Sequence, residues 1–448
     1  MKKVTLAFLL LGAFATKAQE VQQDTIKPAS IETLKESIDE HSMKFSGLDE
    51  RLATMESDLG KLTKIKVSGY IQAQYDMYDF ENRARSINGV STGTASTSTA
   101  PISNSFNLRR ARVKFTYEAL DGVKFVLQPD LAIDKVSLKD AYVVLNDRWT
   151  KTYSLTVGQF NRPTYEVEFS SGSREFLERT RMTTNLYPSE RDLGAKLEAN
   201  FDTKYSIPLK LQLAIFNGNF GYGAITDQVR DIDSNKDVMA RAVYSIKLPN
   251  KGLGIDIGAH GFFGSTKILT VPTANSFLNV DNVAFTPTIG DALKKSWFGA
   301  EAQIYYDFLG GMSIKTEYIA GTNSSTSNTS QTEGIFNTNK VREFKGYYVS
   351  LIKNVGKNNQ AVVRYDGFDP NTNLEGNNVK TAADLKYTTW TFGWQYFFDD
   401  NVKIVLGYTM PTNEKSSLLS TPNVGSTITN FSKDVKDNTF SIRLQAKF

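Results

Sequence analysis

The chain contains no cysteine, so disulfide staples and thiolate metal sites are excluded. It has only two histidines among 448 residues, His41 and His260, and neither lies in a catalytic motif. A Ser–His hydrolase built on a barrel would need a histidine at its active site, and His260 sits among glycines with no neighbouring motif. Glycine-rich phosphate loops and spaced metal-ligand sets are also missing from the sequence, so no enzyme activity, cofactor or metal is expected. Beyond the first twenty residues no stretch stays apolar for about 18 positions, which rules out helical membrane spans. Neither sign of charge dominates, with 52 Lys and Arg against 48 Asp and Glu, so net charge selects no partner. The Ser/Thr/Asn-rich segments read as solvated loops, not as nucleic-acid surfaces. Aromatic residues are plentiful, with 28 Phe and 20 Tyr, in a chain whose mean hydropathy is only −0.33. Half-apolar strands of a membrane β-barrel have that balance.

Residues 1–18 have the layout of a signal peptide: Lys2 and Lys3, an apolar run from Val4 to Ala15, and small residues at Thr16 and Ala18. Residues 19–30 form a short polar linker. Then Ile31, Leu34, Ile38, His41, Phe45, Leu48, Leu52, Met55, Leu59 and Leu62 recur at alternating spacings of three and four, with charged residues between them. Such an unbroken heptad seam predicts a self-associating coiled-coil helix over 31–65, with His41 as a tolerated or register-setting polar residue.

After Ile65 the period becomes two. In the last strand Phe440, Ile442, Leu444, Ala446 and Phe448 alternate with Thr439, Ser441, Arg443, Gln445 and Lys447. One face is then apolar and the other polar. A strand that ends on Phe448 resembles the C-terminal signal by which outer-membrane barrels are recognised by their assembly machinery. Similar strands are expected at 66–78, 105–119, 123–132, 138–146, 152–160, 191–201, 207–217, 237–247, 253–264, 296–307, 312–320, 344–354, 360–368, 386–398, 401–410 and 437–448. Their connections alternate between short turns and long loops, the long ones at 79–104, 161–190, 218–236, 265–295, 321–343, 369–385 and 411–436, with only 133–137 brief. The fold expected is all-β: a 16-stranded antiparallel transmembrane β-barrel over 66–448, preceded by the coiled coil. It belongs in the outer membrane of a Gram-negative bacterium, in contact with its lipid, with both chain ends on the periplasmic side. Sixteen strands enclose more space than side chains fill, so an open aqueous lumen is expected.

Strand parity sorts the charges. With Val113, Phe115 and Tyr117 facing lipid, Arg110, Arg112 and Lys114 turn to the lumen as a cationic ladder. Guanidinium groups stay charged and offer forked donors to oxyanions. The same parity turns Lys124, Lys196, Arg241, Lys315, Arg364 and Arg443 inward. It also turns Glu118, Asp130, Glu198, Glu301, Glu317 and Asp366 inward, so some of these bases can serve only to brace the wall through ion pairs.

The succession FNLRRARVKFTYEALDGVKFVLQPD, DAYVVLND, LTVGQFNRP, SREFLERTRM, RDLGAKLEANF and LQLAIFNGNF over residues 106–220 resembles the phosphate-selective porin family, the O/P porins. The resemblance implies a homotrimer of sixteen-stranded barrels whose lumens pass small anions such as phosphate by passive diffusion. It also implies that the 161–190 connection folds inward and narrows the pore. A helix is predicted there from Ser173 to Met182, capped by Ser173 and carrying the i,i+4 pairs Arg174–Glu178 and Glu175–Arg179. Arg174, Arg179 and Arg181 are then the constriction residues. The alternatives are a weakly selective or carboxylate/sugar porin, and a structural or receptor barrel tethered by its coiled coil.

Because the heptad seam is separate from the wall, deleting residues 19–65 should leave a barrel that inserts but whose oligomer dissociates at lower temperature. A truncated protein that runs on native gels as a trimer as heat-stable as the full chain would refute this role.

Overall fold

Strands with one face for hydrocarbon and one for the interior must close on themselves, because lipid offers an open edge no hydrogen-bond partner. The computed structural model describes residues 64–80, 86–87, 90–91, 103–132, 136–187, 190–218, 234–268, 272, 274, 277–325, 340–379, 381–419 and 431–448. The expected signal peptide 1–18, linker 19–30 and all of the coiled coil 31–65 except Lys64 and Ile65, lie outside the described residues.

Sixteen long strands form the wall: β1 Ile65–Phe80, β2 Asn104–Leu120, β3 Val123–Asp130, β4 Ser137–Asn146, β5 Tyr153–Asn161, β6 Arg191–Asn200, β7 Leu209–Phe216 and β8 Asp237–Leu248. They continue with β9 Leu253–Lys267, β10 Ala292–Tyr306, β11 Met312–Ser325, β12 Lys340–Val355, β13 Asn359–Asp369, β14 Tyr387–Phe397, β15 Val402–Asn413 and β16 Asp437–Lys447. Each pairs antiparallel with its chain neighbours, and β16 pairs back onto β1 from Lys447 opposite Tyr70 to Asp437 opposite Phe80. The barrel is closed. Gly69 and Phe448 seal the short-turn end by exchanging two backbone hydrogen bonds of 3.0 Å. Glycine is required at 69 because a Cβ there would run into the Phe448 ring.

Several strands run further than the alternation predicts, always toward the long loops. β9 reaches Lys267, β10 starts at Ala292, β11 reaches Ser325 and β12 starts at Lys340. The added residues are largely polar, so the apolar period stops at the membrane edge while the backbone ladder continues into water. The outward faces are apolar and exposed, as with Val67, Ile71, Leu197, Leu213, Ile257, Val349 and Leu444. Aromatic pairs mark both rims. Tyr75 lies 4.5 Å from Phe106 and Phe263 lies 5.2 Å from Phe298 toward the long loops, while Tyr306–Phe308 and Tyr396–Phe398 stand at the short turns.

The buried apolar core lies inside the barrel. Phe160, Phe216, Met239, Phe262, Trp297, Ile319, Phe344 and Phe368 project inward from β5 and β7–β13 and are almost fully covered. Parity places them inward, yet an aqueous lumen gives them no reason to be apolar; another segment has to cover them.

Removing Phe448 deletes both the ring over Gly69 and the two hydrogen bonds that close β1 on β16. Folded barrel recovered from the membrane should fall severalfold, while the molecules that do fold conduct normally. Unchanged outer-membrane yield of the deletion variant would refute the closing role.

Candidate functional site

The segment that covers the inward apolar residues is the connection between β5 and β6. It carries two short helices, α1 Tyr165–Glu168 and α2 Arg181–Leu186, with no regular structure from 169 to 180. Val167, Met182, Leu186 and Tyr187 pack on the inward apolar residues of the wall. The Trp297 indole N–H donates to the Tyr187 hydroxyl at 3.0 Å, and its ring stacks on Phe262 at 3.9 Å. In this layer the loop and its apolar bed occupy part of the lumen, the inward fold that the resemblance implied for the 161–190 connection.

The helix expected from Ser173 to Met182 is corrected. Its i,i+4 pairs do not form, because their side chains find closer partners elsewhere. Glu175 accepts from Lys315 at 2.5 Å, Glu178 pairs with arginines of β2 and β16, and Arg179 pairs with Glu190 and donates to the carbonyls of Glu166 and Val167. Irregular backbone at membrane depth must have its carbonyls satisfied by protein or water. Here the wall supplies the donors. Gln72 reaches Ser171 O at 3.2 Å, Gln445 reaches Gly172 O at 2.8 Å and Lys403 reaches Arg174 O at 2.9 Å. Gln395 reaches Glu175 O at 2.9 Å, Arg443 reaches Leu177 O at 2.6 Å and Arg364 reaches Glu178 O at 3.0 Å. The loop is thus fastened across the interior, by polar donors of β13–β16 and β1 along one edge and by apolar packing along the other.

Glu178 is the centre of the polar edge. Arg109 grips it with two hydrogen bonds of 2.8 and 2.9 Å, Arg443 adds one of 2.6 Å and Arg110 approaches to 3.4 Å. Arg110 also donates to Gln72 at 2.9 Å; Arg112 donates to Asp130 at 2.8 Å, to Tyr70 at 2.9 Å and to Ser171 at 3.0 Å.

The ten residues expected to line the pore therefore divide into two groups. Arg110, Arg112, Arg174, Arg179, Arg181, Arg241 and Arg364 are buried at the contact between loop and wall. Arg181 lies over the Tyr387 ring at 3.8 Å, and Arg241 joins Glu301 and Glu168 at 2.6 and 2.7 Å. Arg364 lies 3.3 Å from Asp366 and 3.7 Å from Glu166. Arg174 is buried with its Nε and one terminal nitrogen unpaired. Lys114, Lys124 and Lys196 are half-buried. Lys124 lies 3.4 Å from Glu118, and Lys196 lies 3.5 and 3.8 Å from Glu168 and Glu198.

Strict alternation missed Arg109 and Lys139. The register of β1 on β2 shifts so that Gln72 faces Arg110 and Ala73 faces Leu108, which leaves Arg109 as the extra residue of a bulge. On β3–β4, Gln128 faces Asp140 and Pro129 faces Leu138, leaving Lys139 as the extra residue. A bulge lets two successive residues serve the interior. The Arg109–Arg110 doublet in a lipid-facing pattern was the available signal.

Both signs of charge are distributed around the interior. By β16–β4, Arg109, Arg110, Arg112, Arg174 and Arg443, with Lys114, Lys124 and Lys139, face Glu178, Asp76, Glu118, Asp130, Asp140 and Asp437, eight cations against six anions among the described residues. By β6–β13, Glu166, Glu168, Glu175, Glu198, Glu301, Glu317 and Asp366 are interspersed with Lys196, Lys210, Arg241, Lys315 and Arg364, and Arg191, Lys295, Lys340 and Arg342 add buried cations on the same strands. Toward the short turns a cavity of about 430 Å³ opens between the loop and β7–β10, lined by Glu168, Lys210, Arg241, Asp256 and Gln303. A second, of about 340 Å³, lies beside Glu175 and Lys315.

Burial by itself would raise the pKa of the Glu178 carboxyl, but Arg109, Arg110 and Arg443 hold it well below the usual carboxylate range. Its stabilising contribution is therefore complete above the unfolded value of about 4.3 and is lost only as pH falls well beneath it. Replacing Glu178 with Gln strands three guanidiniums and should destabilise the folded barrel at neutral pH by about 3 kcal/mol. Thermal unfolding followed by heat-modifiable migration reads this; an unchanged midpoint would remove Glu178 from the centre of the clamp.

Residues 88–255, from the first long loop to the start of β9, match the family described as phosphate-selective porin O and P. No curated protein matches by sequence. Among solved structures, OprB of Pseudomonas putida, in its high-pH form, is similar with a TM-score of 0.55 and 9% identity, over 88% of this chain and 96% of that one. An anion-selective porin from Comamonas acidovorans has a TM-score of 0.50 and 11% identity, over 86% and 99% of the two chains. The outer membrane channel DcaP of Acinetobacter baumannii gives 0.50 and 11% over 86% and 97%. At such identities the likeness speaks for the fold alone. The match over 88–255 and the motifs within it make that part of the chain similar to the phosphate-selective porin O and P family, within a closed sixteen-stranded barrel of the outer-membrane porin fold.

Proposed function

We propose that the chain is a porin through which small anions, phosphate among them, diffuse passively across the outer membrane of a Gram-negative bacterium, with its barrels assembled as a homotrimer. The observation that carries this reading is the surplus of cations on the β16–β4 side of the loop. Arg109, Arg110, Arg112 and Arg443 are fixed there by hydrogen bonds with Arg174 buried beside them, and Lys114, Lys139 and Lys403 add charge with no ion pair among the described residues. A low-dielectric wall focuses such a field into the water beside it. In this reading the buried arginines Arg110, Arg112, Arg174 and Arg443 set the potential, and the half-buried lysines Lys114, Lys124 and Lys139 meet the permeating anion. The heptad seam over 31–65 and the family resemblance support the trimer. One of the barrels of similar fold is itself described as an anion-selective porin. The acids of the β6–β13 side, Glu168, Glu198, Glu301 and Glu317 among them, favour a second reading, a weakly selective porin in which cations follow that wall.

Reversing Lys114 and Lys139 to Glu should lower the anion-to-cation permeability ratio severalfold, measured as reversal potentials across planar bilayers in a salt gradient. The shift should shrink at 1 M salt, where screening acts over about 3 Å. Reversing the buried Arg110 and Arg112 should instead cost folded protein. An unaltered ratio in well-folded Lys114→Glu/Lys139→Glu protein would sink the anion reading and leave the weakly selective one.

A further inference from the structure

Directly beneath the apolar layer, toward the short turns, the wall holds a buried histidine and two glutamates whose chemistry a passive pore does not explain. His260 on β9, Glu301 on β10 and Glu317 on β11 all face inward and are almost wholly covered. Glu301 stands directly opposite Glu317 in the β10–β11 ladder, a cross-strand like-charge pair. His260 lies over Gly299, where a Cβ would collide with the imidazole ring. A Cβ at Gly258, opposite Glu301, would press on that carboxylate's stem. Two glycines thus clear the floor on which the three side chains converge.

Two of the three lack ordinary partners. Neither ring nitrogen of His260 and neither carboxylate oxygen of Glu317 has a hydrogen bond. His260 Nδ1 lies 3.9 Å from Glu317 Oε1, and one ligand atom from each of the three residues falls within 4.8 Å of the others. Every nearby counter-charge is already engaged. Arg241, opposite His260 in the ladder, is divided between Glu301 at 2.6 Å and Glu168 of the loop at 2.7 Å. Arg364 serves Asp366 and Glu166, and Tyr348, which faces Glu317 across β11–β12, brings a neutral hydroxyl. The pocket is therefore short of positive charge, and a carboxylate buried there has to gain a cation or a proton.

We propose that His260, Glu301 and Glu317 bind one divalent first-row transition-metal ion of the zinc class, which pins β9, β10 and β11 beneath the loop. One imidazole nitrogen with two carboxylate oxygens is a ligand set such ions accept. A tetrahedral zinc site places its ligand atoms about 3.4 Å apart, so side-chain adjustments of about 1 Å close the observed spacing. Arg241, bonded to both oxygens of Glu301 at 2.6 and 3.1 Å, fixes that ligand from behind as outer partners do in metal sites. The 430 Å³ cavity, lined by Arg241 and by Gln303 two residues beyond Glu301, provides the way in and the water for the remaining position.

The test uses the full chain carrying His41→Asn, so that His260 is its only histidine. The barrel is refolded in detergent with zinc, freed of loosely held metal by gel filtration, and assayed for zinc by elemental analysis. The proposal expects about one zinc per chain, an upward shift of the unfolding midpoint relative to chelator-treated protein, and one imidazole in the zinc shell by X-ray absorption. His260→Asn and Glu317→Gln should each weaken binding more than tenfold. Should either variant fail to give a heat-modifiable barrel, the X-ray absorption of the His41→Asn protein decides by itself. No stoichiometric zinc, a shell of oxygens without imidazole, or binding undiminished in folded His260→Asn or Glu317→Gln protein would overturn the site.

Discussion

Backbone hydrogen bonding in a place without water is the constraint on which this structure rests. In the wall it is met by closure: sixteen strands pair in sequence and β16 returns to β1, so the described wall leaves no edge facing lipid. In the loop between β5 and β6 the same requirement is met differently. Six consecutive-region carbonyls, from Ser171 to Glu178, accept from glutamines, lysine and arginines that the wall turns inward. Their polar heads are as necessary to the loop as the ladder is to the strands.

That arrangement explains why so many charges inside the barrel are buried. A guanidinium in an aqueous pore would keep its hydration; Arg110, Arg112 and Arg443 have exchanged theirs for Gln72, Tyr70, Asp130, Glu178 and loop carbonyls. Burying ions is costly unless geometry is good and the remaining donors are satisfied. The forked contact of Arg109 with Glu178 and of Arg241 with Glu301 meets that condition. The arginines that hold the loop are thereby fixed in place, whereas Lys114 and Lys124 are only half-buried.

Much of the architecture was legible because the physics of a lipid-exposed strand is local. Alternation of period two gave all sixteen strands, and the long and short connections gave their direction. Parity turned Arg110, Arg112, Arg241, Arg364 and Arg443 inward. Where the local rule is broken by a neighbour, sequence reading erred. Bulges set by pairing with β1 and β3 bring Arg109 and Lys139 to the interior against parity. The 173–182 helix has good local pairs in sequence, but Glu175, Glu178 and Arg179 gain more from Lys315, Arg443 and Glu190 than from one another.

By itself the sequence determined the barrel, its strand count and which face of each strand meets lipid, since these follow from hydrophobic period and chain reach. Only the tertiary structure decided what fills the interior. That depends on which distant residues the register sets side by side: Glu178 under Arg109 and Arg443, Tyr187 against Trp297, and His260 beside Glu301 and Glu317. No spacing along the chain encodes those meetings. They arise because a closed, staggered sheet fixes the height of each strand relative to the next, and a one-residue slip would turn Arg443, Trp297, His260, Glu301 and Glu317 toward lipid.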